Sequence, residues 1–290
     1  MVSVSVLLLT AANIFAQSNL DDLRNRIVSG SVEDKRDALL DIRNLRDAEA
    51  SRIAVAALTD NNELVRASAT VAVVSLPGRE AAARIIPLLN DKAEFVRVEA
   101  AFALGELGAI VDAFRAAGGL SDLAVGQAVA PALIRTLEHD KSVRVRSAAA
   151  VALGHSCYSS GIGALTAVLK TKPREEDEYL RRASARSIGE SVQIERTGKP
   201  EVSTPQNFLP DKYKSRRRPE STMVFWTSDI VNTLLNVLKN PKEAEDTRRE
   251  AAFALGNLDE RSVVPVLRSY LNSPDKYLAE ICKEALIKIE

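Results

Sequence analysis

Across 290 residues, Lys+Arg and Asp+Glu balance at 39 each, so no global field exists to concentrate nucleic acid or an anionic membrane surface, and any such binding has to be local. Hydrophobic residues make up 46% and aromatics only 4%, which suits closely packed helices and not a sheet sandwich that needs β-branched and aromatic faces. Two histidines and two cysteines exclude a disulfide framework and leave a thin inventory for catalysis.

The chain begins with MVSVSVLLLTAANIFA, an apolar run ending in small residues, and a cut after Ala16 would start a mature chain at Gln17. Residues 1–16 therefore read as a signal peptide, and the mature chain as periplasmic or secreted. No Lys or Arg precedes the run, so either the true start lies upstream or the segment is a buried capping helix of a cytoplasmic protein. The run is shorter than the roughly 20 residues of a spanning helix, and no later segment is free of charge. No transmembrane segment is expected in the mature chain.

From residue 17 to 191 the sequence repeats itself. VRVEAAFALGELG from Val96 aligns with VRSAAAVALGHS from Val145 and, beyond a break, with TRREAAFALGNLD from Thr247. Anchored on a basic residue, the copies fall at Lys35, Arg66, Arg97, Arg146, Arg181 and Arg248, with a degenerate last copy at Ala279 in the C-terminal stretch 227–290. The steps between anchors are 31, 31, 49, 35, 67 and 31 residues. Eight positions after the anchor a glycine recurs (Gly105, Gly154, Gly189, Gly256), and a positive φ there is expected to close the first helix of each pair. The second helices read AARIIPLLND, VAPALIRTLEHD, GALTAVLKT, DIVNTLLNVLKN and VVPVLRSYLN, with apolar residues three and four apart. Each pair leaves an apolar face that only a neighbouring pair can bury, so the copies must stack. Small residues such as Ala101 and Ala149 let backbones approach closely.

The residues carrying this register, an Asp six before the anchor, Val-Arg, Ala-Ala and Ala-Leu-Gly, resemble HEAT repeats of the bilin-lyase-like subgroup over roughly Val32 to Glu290. The resemblance implies an all-α fold, a right-handed α-solenoid of about six to seven helix pairs with two insertions. It also implies a structural ladder in which Asp60, Asp91 and Asp140, at helix starts, meet Arg66, Arg97 and Arg146 of the same or adjacent layer. Those arginines are then not a ligand site.

Two insertions break the period. The first lies near 109–128 and predicts an additional short helix with a turn at Gly118-Gly119, either a lengthened connection on the solenoid edge or a lip over one end of the concave surface. The second, 192–226, contains Pro200, Pro205, Pro210 and Pro219 and lacks helical period, which predicts an extended or mobile loop. Within it KYKSRRRPE is the densest basic run, and Tyr213, Arg216, Arg217, Arg218, Phe225 and Trp226 form a candidate partner-binding loop. Such a mixture can bind acidic peptides, anionic polymers or single-stranded nucleic acid. It can equally be a solvated loop whose tail buries Phe225 and Trp226.

Chemistry finds little support. His139 reads as an exposed turn residue, and His155 and Cys157, two apart, point in different directions without an orienting third group. The acidic run Glu175 to Glu178 reads as negative charge at a helix start. Cys157 and Cys282 fall three layers apart, beyond the roughly 7 Å limit of bridged Cα atoms, and are expected as reduced, partly buried thiols. No metal or nucleotide motif is present, and no cofactor is expected. The sequence thus predicts a monomeric, non-enzymatic scaffold or adaptor whose concave face holds an unidentified protein or peptide. The resemblance offers an accessory or chromophore-lyase-like role as the alternative. A nucleic-acid-binding solenoid has no strong case, because the total charge is neutral and the arginines are matched by aspartates.

Overall fold

In a computed structural model the described residues are 19–116, 123–155, 159–197, 204–210 and 228–290. They form an all-α solenoid, with no strand among them. The helices in chain order are α1 (19–29), α2 (Val32–Leu45), α3 (Ala48–Ala54), α4 (Glu63–Ala72), α5 (Gly78–Ile85), α6 (Glu94–Ala116) and α7 (Leu123–His139). They continue with α8 (Val143–Gly154), α9 (Ile162–Lys170), α10 (Glu178–Thr197), α11 (Ser228–Lys239), α12 (Glu245–Leu258), α13 (Val264–Ser269) and α14 (Lys276–Ile289). Two compact units divide the chain, one ending at Leu107 and one beginning at Gly108, so that the boundary falls within α6.

Helix starts follow from short polar side chains. Ser31 and Asp34 make a reciprocal capping box on α2, Asp47 accepts from the Glu49 and Ala50 amides of α3, and Asn62 and Asp275 cap α4 and α14. Each such cap is worth about 1 kcal/mol. In the first unit α2 packs on α3 and α4, while α3 and α5 meet the 3-10 turn (Val73–Ser75) that follows α4. In the second unit α8 packs on α7 and α10, α10 on α12, and α12 on α14, with α9, α11 and α13 filling the other layer. The core is built from small and branched apolar residues: Ala38, Ile42, Ala69 and Ile85 in the first unit, Ala149, Leu153, Ile188, Leu255 and Leu267 in the second, are all fully buried.

The anchored helices carry the recurring glycines for a reason different from the one expected. Positive φ outside glycine occurs at Arg46 and Asp259, which close α2 and α12, whereas Gly105 and Gly189 lie inside helices and Gly154 and Gly256 near helix ends without positive φ. Proximity explains three of them. A Cβ on Gly154 would sit 2.7 Å from the Cα of Ser187, one on Gly189 3.0 Å from the Cα of Ala254, and one on Gly256 2.8 Å from the Cα of Ala285. The glycines of α8, α10 and α12 are therefore the points at which each helix backbone meets the next.

Both insertions begin as helix. The first extends α6 to Ala116 as one continuous helix in place of a separate short one, and the turn at Gly118-Gly119 lies outside the described residues. In the second, α10 runs to Thr197, six residues past the boundary expected at 191, because Val192, Gln193 and Ile194 are buried and Arg196 donates to the Asn257 carbonyl at 2.7 Å. Among the described residues no helix is long and apolar enough to cross a membrane. Residues 1–16 lie outside the described residues.

Candidate functional site

The basic anchors and the acids before them meet across layers. Lys35 Nζ donates to Asp60 Oδ2 at 2.7 Å, and Arg66 donates from Nε and Nη2 to the two oxygens of Asp91 at 2.8 Å each. Each partner stands 25 positions on, in the next repeat. Within a repeat the arginine reads the backbone instead: Arg66 Nη1 donates to the Asp60 carbonyl at 2.8 Å, Arg97 Nη1 to that of Asp91 at 3.0 Å and Arg146 Nη1 to that of Asp140 at 3.0 Å. The same aspartates accept the amide two residues on, from Asn62, Ala93 and Ser142, at 2.8 Å. The hydrogen bonds from Lys35 and Arg66 hold the Asp60 and Asp91 carboxyls below their ordinary value.

The second unit continues this pattern with acids that sequence spacing missed. Arg146 meets Asp177 at 3.5 Å, and Asp177 also accepts from Arg174 Nε at 2.7 Å. Arg181 pairs with Glu243, and Arg249 donates to Asp275 at 2.8 Å. Asp177 and Glu243 stand four and five residues before Arg181 and Arg248, not six, so a fixed-offset search passes over them. Arg66, Arg97 and Arg181 are buried, and the guanidinium groups of Arg66 and Arg181 donate to protein oxygens. They offer no exposed anion site.

What the first unit does expose is apolar. Leu64 and Phe95 stand two residues before their anchors, and Leu40, Val71 and Phe102 five after theirs. Positions seven apart share a helix face, so these side chains line one ridge across α2, α4 and α6. Leu40, Leu64, Phe95 and Phe102 are 52%, 40%, 43% and 40% exposed. Between Leu40, Leu64 and Phe95 lies a cleft of about 250 Å³ with Leu39, Ala67 and Val71 in its lining and Arg36, Arg43 and Glu99 among its polar groups. Arg36 and Arg43 are exposed. Burial raises the Glu99 carboxyl above its ordinary value, against the pull of Arg43. In sequence these leucines and phenylalanines look like further members of the buried stripe, and only their offset from the anchor separates them from it.

The corresponding positions of the second unit are aromatic and charged. Tyr179 and Tyr277 stand two before their anchors; Arg182 lies 5.1 Å over the Tyr179 ring and pairs with Asp246 at 3.0 Å, and Arg249 lies 5.5 Å over Tyr277. Part of the second insertion sits here. Phe208 stacks on Tyr277 with centroids 4.4 Å apart, Asn207 Nδ2 donates to Glu280 Oε2 at 2.7 Å, and Pro205 is buried.

The remaining residues singled out in the sequence fall as follows. Tyr213, Arg216, Arg217, Arg218, Phe225, Trp226 and Cys157 lie outside the described residues. His139 ends α7 with an exposed ring 3.7 Å from Glu138, and His155 is an exposed residue capping α8. Cys282 is buried in α14. Glu175–Asp177 form a 3-10 turn leading into α10, with Asp177 turned inward to its arginines.

A family model described as PBS lyase HEAT-like repeat matches residues 247–273, which span α12 and α13 with Arg248, Arg249 and Gly256. That stretch is a HEAT-like repeat. Among solved structures the chain is similar to an engineered protein at 18% identity, covering 93% of this chain and 96% of that one with a TM-score of 0.49. It is also similar to the complex of CpcE and CpcF of phycocyanin lyase from Nostoc sp., at 18% identity over 93% and 87% with a TM-score of 0.46. Human deoxyhypusine hydroxylase is similar at 16% identity over 97% and 99% with a TM-score of 0.37. No curated protein matches the sequence. In this chain the ladder charges face inward and the apolar ridge of the first unit faces out.

Proposed function

We propose that this HEAT-like repeat protein is a non-enzymatic scaffold that holds a partner protein or peptide and acts as a monomer outside the cytoplasm, in a periplasm or after secretion. The observation that carries the reading is the open ridge of Leu40, Leu64, Phe95 and Phe102, large apolar side chains left in water on consecutive anchored helices. Each Å² of such surface costs about 25 cal/mol to leave wet, and contiguous patches of this kind mark interaction surfaces. The ladder supports it from the other side. Its charges are met by the protein's own oxygens, which leaves the ridge as the surface on offer. The basic insertion with Arg216, Arg217 and Arg218 is proposed as a second contact for the same partner.

Affinity capture with the tagged chain from fractions of its source, read by mass spectrometry, tests the reading. A stoichiometric protein partner supports it. Capture of nucleic acid or pigment alone, or of nothing, removes it. Deleting residues 199–220 separates the two contacts: unchanged melting with weakened capture assigns the insertion a role, and unchanged capture reduces it to a spacer.

A further inference from the structure

The chain displays, on itself, how a peptide can sit on the anchored-helix ridge. At α14 the segment 204–210, with a single 3-10 turn at Gln206–Phe208, places the ring of Phe208 flat on Tyr277, two before the anchor position, and hydrogen-bonds Asn207 to Glu280, one after it. The contact uses one flat ring and one polar group. The segment that makes it is a single 3-10 turn.

On the first unit the same register positions stand open and carry different chemistry. Two before the anchor are Leu64 and Phe95 in place of tyrosine, both exposed. One after the anchor of α2 stands Arg36, in place of the glutamate that faces Asn207, and Arg43 follows seven residues later on the same side of that helix. The apolar floor suits a large side chain, and the two guanidinium groups above it suit a carboxylate, which arginine binds in a two-pronged geometry. Glu99 is the acid in the lining, set against the two arginines of α2. A polynucleotide finds no row of cations here, only two flanking an apolar strip.

We propose that the cleft lined by Leu40, Leu64, Phe95, Arg36 and Arg43 binds a short segment of a partner protein that carries one aromatic side chain next to acidic residues. The inference rests on the scaffold reading and specifies the chemistry of its partner. The aromatic ring lies on Leu64 and Phe95, as Phe208 lies on Tyr277, and the acidic neighbour reaches Arg36 and Arg43.

The test uses the full chain and two dye-labelled Gly/Ser peptides, one containing Phe-Glu-Glu and the other Phe-Lys-Lys, titrated by fluorescence anisotropy. The acidic peptide is expected to bind roughly tenfold tighter and to weaken with added salt, as charge-assisted contacts do. Phe95→Ser should weaken both peptides, and Arg36→Glu with Arg43→Glu should reverse the preference. All three side chains are exposed, and circular dichroism verifies the fold of each variant. Equal binding of the two peptides, binding insensitive to Phe95→Ser, or photo-crosslinks from the peptide that map to residues 228–290 would overturn the proposal. So would a concentration-dependent dimer abolished by Phe95→Ser, which makes a second copy the occupant. Partner capture by the triple variant equal to that by the wild type rejects this cleft while the scaffold reading stands; capture of no partner by the wild type rejects the scaffold reading itself.

Discussion

Arg181 on α10 donates from Nε to Oε2 of Glu243 at 3.0 Å and from Nη2 to Oε1, and the two side chains are only 2% and 3% exposed. The partners stand 62 residues apart, and 36 of those are the excess that the second insertion adds to the 31-residue period, which leaves 26. That remainder is close to the 25 residues separating Lys35 from Asp60 and Arg66 from Asp91. The layer-to-layer pairing is thus kept across the insertion.

Removing one partner of this pair strands the other as a buried charge. Glu243→Ala is expected to destabilise by about 3–5 kcal/mol. The double variant Arg181→Met with Glu243→Leu removes the charge problem but leaves the carbonyls of Val168, Leu169 and Thr171 without the guanidinium that now serves them, so it should recover only part of the loss. Urea unfolding of both singles and the double measures this. A double variant as stable as the wild type would show that the rung contributes nothing beyond what apolar packing supplies.

Glycine positions give predictions of opposite sign. Alanine favours helix over glycine by about 1 kcal/mol. Yet Gly256→Ala should destabilise by about 1–3 kcal/mol, since its Cβ would lie 2.6 Å from that of Ala285. Gly189→Ala meets Phe253 and the backbone of Ala254 and should behave alike. Gly163, exposed on α9 with nothing within 4 Å of an added Cβ, should gain about 0.5 kcal/mol on the same change. Thermal melts of the three variants decide it, and a common sign would mean that helix propensity, not close approach, governs these sites.

The sequence makes the helix pairs legible because burial imposes a period: Ala38, Ala69 and Ala100 recur three after Lys35, Arg66 and Arg97 and are fully buried. The purpose of Gly154, Gly189 and Gly256 is not legible, because a glycine that admits a neighbouring backbone and one that turns the chain are the same letter. Asp177 and Glu243 escape for a related reason. The loop before each helix varies in length, so the acid reaches its arginine from a different offset. Leu64 and Phe95 are hidden in the pattern itself, since an outward apolar residue is distinguished from an inward one only once the ridge is assembled.

The aspartates give the fold its acid limb. Asp60 and Asp91 are held below their ordinary value by hydrogen bonds from Lys35 and Arg66; for Asp275 burial pushes upward, but the Arg249 hydrogen bond and the α14 amides outweigh it. A carboxyl whose folded pKa is depressed contributes stability that is present above the unfolded value, 3.8, and is lost as pH falls through the folded value. Stability measured by urea midpoint should therefore hold from neutrality down to about pH 4 and fall below it. Asp91→Asn should flatten that fall, and an unchanged acid limb in this variant would remove Asp91 from it.

Cys282 sets the alkaline limb. Burial, with a smaller push from Asp275, raises its thiol from 9.0 to about 12, so the folded state resists forming the thiolate. The unfolded chain ionises near 9.0 and the folded chain does not, which means the contribution of this group is intact below pH 9 and is lost as pH climbs toward 12. Two measurements follow from one cause. Alkylation of Cys282 by iodoacetamide at about pH 8, followed by mass spectrometry of its peptide, should be negligible in the native chain and rapid in urea, because the thiolate is the nucleophile. Cys282→Val should lessen the loss of stability above pH 9. Rapid native labelling would place the thiol in reach of water, and an alkaline limb unaltered by Cys282→Val would assign it to the tyrosines and lysines instead.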